Sequence, residues 1–234
     1  MHSTVKICGL STAATLEAAI GAGADMVGLV FFAKSPRFVT LDRAEELAAR
    51  ARGRARIVAL SVDADDEALA AIVARVSPDI LQLHGRETPD RVAAIKQTFG
   101  REVMKAIGVS EAGDFAQARD FTGVADWLLI DAKPPKDATR PGGNGRAFDW
   151  RLARDFAPST PWLLSGGLDA ANVGEAIALS GAEGVDVSSG VERAPGVKDE
   201  AQIAAFAAAA RAAFARAQDG RKTQEATRAA RSSA

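Results

Sequence analysis

Trp127-Leu128-Leu129-Ile130-Asp131 is the stretch whose reading decides the fold. Its four large apolar residues show no alternation with polar ones. An extended segment of that kind is buried on both faces, as in a parallel sheet covered by helices. Strand-sized runs of the same character recur along the chain, at Thr4–Ile7, Asp25–Phe32, Arg56–Val62, Asp79–His84, Glu102–Ile107, Pro161–Ser165 and Gly184–Ser188. Helical patterns lie between them. Thr12 or Ser11 caps a helix whose Leu16, Ala19, Ile20 and Gly23 share a face. Thr88-Pro89 is a cap followed by proline at the first helical position, ahead of the stripe Val92, Ile95 and Phe99. Asn172 or Asp169 starts the helix before Gly181, and Ile203, Phe206, Ala210 and Phe214 line the last one. Strict alternation implies parallel strands joined by right-handed crossovers, and eight units favour closure. The expected architecture is a single α/β domain, a (β/α)8 TIM barrel over residues 1–217. A polar, Arg/Ala-rich tail at 218–234 is expected to be disordered or a fraying helix.

Composition narrows the function. Lys plus Arg number 29 against 30 Asp plus Glu, so no overall field draws nucleic acid or an anionic membrane. Apolar runs fall short of the roughly 18 residues of a membrane span. The N-terminus lacks the basic and apolar regions of a secretory signal, and one cysteine in 234 residues fits a reducing compartment. A cytoplasmic protein is expected.

Cys8, the only cysteine, ends the first run in Val5-Lys6-Ile7-Cys8-Gly9, and is either a buried small hydrophobe or a reactive thiol. In a barrel of strand–helix units the strand ends carry the chemistry, which favours the second reading. A depressed or matched pKa suits a thiol base, and Lys6 points to the same side of the strand. Asp131 ends the sixth run at an apolar rim, where a carboxyl acts as a general acid, or else it caps a helix or pairs with Lys133. Asp63 and Asp186 also end strands. Ser165-Gly166-Gly167 and Ser188-Ser189-Gly190 follow the seventh and eighth strands, where barrels often hold phosphate on backbone N–H groups. Arg37, in Lys34-Ser35-Pro36-Arg37-Phe38, offers a fork to a substrate carboxylate, or is a solvated surface group. His84 in Gln82-Leu83-His84-Gly85 orients a neighbour or satisfies a turn. Lys133–Arg146, rich in proline and glycine, reads as a mobile lid after the sixth strand. Metal-ligand spacings and a Gly-x-Gly-x-x-Gly after a strand are missing from the sequence, so no cofactor is expected.

Taken in order, Lys6-Ile7-Cys8-Gly9, Gln82-Leu83-His84-Gly85, Leu129-Ile130-Asp131, Gly142-Gly143-Asn144-Gly145 with Phe148-Asp149-Trp150, Ser165-Gly166-Gly167-Leu168 and Asp186-Val187-Ser188-Ser189-Gly190-Val191-Glu192 resemble the phosphoribosylanthranilate isomerase family. Asn144 departs from the threonine more usual there. The resemblance implies a (β/α)8 barrel of tryptophan biosynthesis that carries out an Amadori rearrangement, with Asp131 as general acid and Cys8 as general base. It places Arg37 near the anthranilate carboxylate, and the turns after strands seven and eight at the phosphate. His84 and Asp186 join these as substrate-binding candidates. The expected partner is a small phosphorylated substrate, with the chain a monomer or homodimer. A related isomerase acting on a histidine-pathway aminoaldose is expected to use two aspartates, and Cys8 stands where the first would be.

Overall fold

The computed structural model describes residues 3–133, 142, 145 and 147–232, with side chains described as far as residue 220. Eight strands close into a parallel barrel in chain order: β1 (Thr4–Cys8), β2 (Met26–Val30), β3 (Arg56–Ser61), β4 (Ile80–Leu83), β5 (Glu102–Val109), β6 (Trp127–Ala132), β7 (Trp162–Leu164) and β8 (Gly184–Val187). Closure is made by β1 against β8, with Lys6 opposite Asp186 in register. This is the architecture expected from the uninterrupted apolar runs. Side-chain alternation then sorts each strand. On β1, Val5 and Ile7 join the large outer core shared with the helices, leaving Lys6 and Cys8 to face the lumen. The lower lumen is filled by Met26, Val58, Ile80, Met104, Ala106, Leu129 and Leu163.

The helices are α1 (Ala13–Gly21), α2 (Leu41–Ala51), α3 (Asp66–Val76), α4 (Pro89–Phe99), α5 (Asp114–Arg119), α6 (Val173–Ser180) and α7 (Glu200–Ser232). Thr12, not Ser11, caps α1 by accepting from the Thr15 amide. Gly23 lies beyond that helix in a left-handed turn, so it is not on the apolar face. Thr88 caps α4 and Pro89 begins it. At α6 the two candidates share the work: Asn172 is the cap residue, while Asp169 accepts from the Ala171 and Asn172 amides.

Between β6 and β7 the described residues hold only a single 3-10 turn, Trp150–Ala153, where the strict alternation implies an α-helix. Phe156 fills that gap in the helical layer, packing on Phe115 and Trp162. After β8 a short hairpin, β9 (Glu192–Ala194) with β10 (Val197–Lys198), folds back beside the barrel mouth. The α7 helix carries Ile203, Phe206, Ala210 and Phe214 into the core and runs on through the polar tail to Ser232. Among the described residues no helix is long and apolar enough to cross a membrane.

Candidate active site

The carboxyl ends of the strands surround a cavity of about 770 Å3, its open mouth included. Cys8, Asp131, Arg37, His84, Gly166, Gly167, Asp186, Ser188 and Ser189 all line it. Two residues singled out from the sequence stand outside. Gly190 packs its Cα beneath the neighbouring turn, so closely that a Cβ there would lie 1.8 Å from the Leu168 carbonyl oxygen. Asp63 instead accepts from the Arg86 amide and shapes the β3 and β4 ends. Most of the lid segment, residues 134–141, 143, 144 and 146, lies outside the described residues, Asn144 included.

Cys8 is 4% exposed. Burial pushes its thiol above the ordinary value; Lys6 and Lys198 draw it down and Asp186 pushes it up. The thiol is therefore not pre-activated by a depressed pKa, contrary to what Lys6 alone suggests. Lys6 is itself committed to Asp186, at 2.7 Å, with both side chains buried. Burial pulls the Lys6 ammonium down, but the two facing acids raise it overall. Ser165 adds a hydroxyl bond to Asp186 at 3.3 Å.

Asp131 projects from β6, three strands round the barrel from β1, into the same cavity. Its Oδ1 accepts from the Ala132 amide at 2.8 Å, and its Oδ2 lies 3.4 Å from His84 Nε2. Lys133 does not pair with it. That ammonium goes to Asp114, which its bonds with Lys133, Ser110 and Glu111 hold at about 2 against the upward push of burial. His84 Nδ1 lies 3.4 Å from Gln82 Nε2, so His84 links its strand to the carboxyl. Gly142 closes over both groups; a Cβ there would come within 2.6 Å of His84 Cε1 and 2.8 Å of Asp131 Oδ2.

The two turns form the third wall. Gly166 has φ +92°, a conformation that a side chain would strain, and a Cβ would also strike the Ala132 amide at 2.6 Å. Backbone N–H groups in such turns are available to an anion without steric cover. The Ser188 hydroxyl donates to the Cys8 carbonyl at 3.2 Å, tying the eighth turn to the thiol's own strand.

Arg37 is buried, not a solvated surface group. Its Nε and one Nη bind the two oxygens of Glu192 at 2.7 and 2.8 Å. Lys198, also buried, reaches Glu192 at 2.8 Å and the Ser188 carbonyl at 2.7 Å. Burial lowers the Lys198 pKa, although Glu192 opposes this. Lys198, Glu192 and Gln82 were not among the sequence candidates. Gln82 and Lys6 do carry a signal, since each interrupts an otherwise apolar strand.

A closed eight-stranded parallel barrel with a thiol, a carboxyl and two glycine turns around one mouth defines an enzyme of the (β/α)8-barrel class. Residues 5–209 match the family model described as PRAI, N-(5'phosphoribosyl)anthranilate (PRA) isomerase. The N-(5'-phosphoribosyl)anthranilate isomerase of Nitrobacter hamburgensis is 59% identical over 91% of this chain and 95% of its own. That of Rhodopseudomonas palustris strain BisA53 is 60% identical, over 91% and 97%. The crystal structure of phosphoribosyl anthranilate isomerase from Thermotoga maritima superposes with a TM-score of 0.81 at 33% identity, over 90% of this chain and 99% of that one. A second structure of such an isomerase, in complex with reduced 1-(o-carboxyphenylamino)-1-deoxyribulose 5-phosphate, gives a TM-score of 0.77 at 31% identity, with 90% and 99% covered. The chain belongs to the phosphoribosylanthranilate isomerase family, and is an isomerase.

Proposed function

We propose that the cavity carries out the Amadori rearrangement of N-(5-phosphoribosyl)anthranilate to 1-(o-carboxyphenylamino)-1-deoxyribulose 5-phosphate in tryptophan biosynthesis, with Asp131 as general acid and Cys8 as general base. The observation that carries this reading is that Cys8 and Asp131, from β1 and β6, line the same cavity. Asp131 gives a proton to the ribose ring oxygen as the C1′–O bond breaks, and the anilino lone pair forms a C1′=N iminium cation. That cation acidifies the C2′ hydrogen and also favours the neighbouring thiolate over the thiol that burial prefers. Cys8 removes the C2′ proton, and the released electron pair forms C1′=C2′ and neutralises the nitrogen. The enol gains a proton at C1′ and loses its hydroxyl proton to give the ketone, so substrate and product are isomers.

The glycine turns after β7 and β8 hold the phosphate, and Arg37 faces the anthranilate carboxylate from its clamp on Glu192. The reduced product bound by a related isomerase supports the choice of substrate. Another neighbour is described as monomers generated from the dimeric Thermotoga maritima enzyme, in keeping with a monomer or homodimer here. The site is that of a cytoplasmic enzyme with a phosphorylated small-molecule substrate. The test is conversion of freshly made substrate, followed by loss of its anthranilate-type fluorescence, with Asp131→Asn alongside. The reading requires product in the wild type and at least a hundredfold slower turnover in the variant, about the share of a positioned acid. Equal rates would overturn Asp131's role.

A further inference from the structure

Gln82 is wholly buried on β4, and alternation places it between Ile80 and His84 on the lumen side. Among the described residues, its Oε1 is the buried side-chain polar atom without a protein partner that belongs to the cavity lining. Its other end is engaged: Nε2 lies 3.4 Å from His84 Nδ1, and His84 Nε2 lies 3.4 Å from Asp131 Oδ2. We infer that Gln82 is a positioning residue, which fixes His84 in the tautomer that donates to Asp131 and turns its own Oε1 to a donor on the substrate.

The argument follows from what each group can do. Once Asp131 has delivered its proton it is a carboxylate, which only accepts hydrogen bonds, so the His84 nitrogen 3.4 Å from it must then carry the proton. In a neutral imidazole the other nitrogen is then a bare acceptor, and Gln82 must present its NH2 to it. The opposite amide orientation would set Oε1 against Nδ1, move the proton there, and leave two acceptors face to face at Asp131. The amide oxygen left over is the price of the correct tautomer. Gln82 is among the residues lining the cavity, where the proposed substrate offers an anilino N–H and ribose hydroxyls. The His84 Nε2–H in turn stabilises the carboxylate that remains once the acid has delivered its proton. Partners that orient a metal-bound histidine are worth about tenfold to a hundredfold, which sets the scale for the effect expected here.

This inference rests on Asp131 as the acid, but its primary test does not use turnover. The chain has two histidines, His2 and His84, so a 15N-histidine-labelled protein shows two imidazoles, and His2→Ala identifies them. In mildly alkaline buffer the wild type is expected to show His84 protonated at Nε2 and bare at Nδ1. Gln82→Met should mix the two tautomers and lower kcat about tenfold. Gln82→Glu should trap His84 between two carboxylates as the imidazolium. A wild-type His84 protonated at Nδ1 overturns the inference whether or not the variants fold. So does a Gln82→Met enzyme with an unchanged tautomer and unchanged kcat. If Asp131→Asn turns over normally, the acid assignment fails while the tautomer result stands, so the two failures are distinct.

Discussion

Lys6 Nζ lies 2.7 Å from Asp186 Oδ1, joining β1 to β8 where the barrel closes and two residues before Cys8 on the lumen face. Both charges are out of water, so each depends on the other. Lys6→Met leaves a buried carboxylate unpaired and is expected to cost about 3–5 kcal/mol of stability, read from urea unfolding. The double variant Lys6→Met/Asp186→Leu should recover most of that loss, because an apolar pair of similar volume fills the same space.

Cys8 titrates above a free thiol, since burial outweighs the pull of Lys6 and Lys198. Only the thiolate alkylates, so iodoacetamide modification of the unliganded enzyme should rise through a midpoint above about 8.5. Lys6→Met removes a cation and should move that midpoint further up. A midpoint below the free-thiol value would contradict the burial argument.

Gly190 allows the two glycine turns proposed to hold the phosphate to meet, with the Leu168 carbonyl where a Cβ would stand. Gly190→Ala must push the turns apart. KM is expected to rise about tenfold, equivalent to about 1.4 kcal/mol, with weaker competitive inhibition by inorganic phosphate. An unchanged KM in a folded Gly190→Ala enzyme would remove the eighth turn from the phosphate site.

Glu192 holds Arg37 through two bonds and Lys198 through a third. Glu192→Ala removes two bonds from the guanidinium and one from Lys198, which keeps its bonds to Ser188. The expected effect is on KM, again about tenfold, with kcat reduced less, since neither cation takes part in the proposed proton transfers.

The barrel was legible because its strands are buried on both faces and say so in runs such as Trp127–Ile130. Strand ends were less so: Phe31 and Phe32 are apolar yet lie beyond β2, Phe31 packing on the outer core and Phe32 on the Cys8, Val30 and Leu60 cluster at the mouth. The sixth crossover has no helix among the described residues, and only tertiary packing of Phe156 shows what replaces it. Cys8 and Asp131 could be picked out because they end strands. Asp186 also ends a strand and could be picked out with them, but its pairing with Lys6 could not, since β8 meets β1 only on closure, 180 residues along the chain. For the same reason the direction of the Cys8 shift was missed: Lys6 is visible in the sequence, while the burial that outweighs it is not.

The most direct test of the account is single-turnover loss of substrate fluorescence for wild type and Cys8→Ala, with phosphate-competitive binding measured on both. The account predicts rapid loss in the wild type, a rate lower by at least a hundredfold in Cys8→Ala, and equal affinity for phosphate. A Cys8→Ala enzyme that turns over at the wild-type rate would contradict it, and the base would have to be sought elsewhere on the cavity wall.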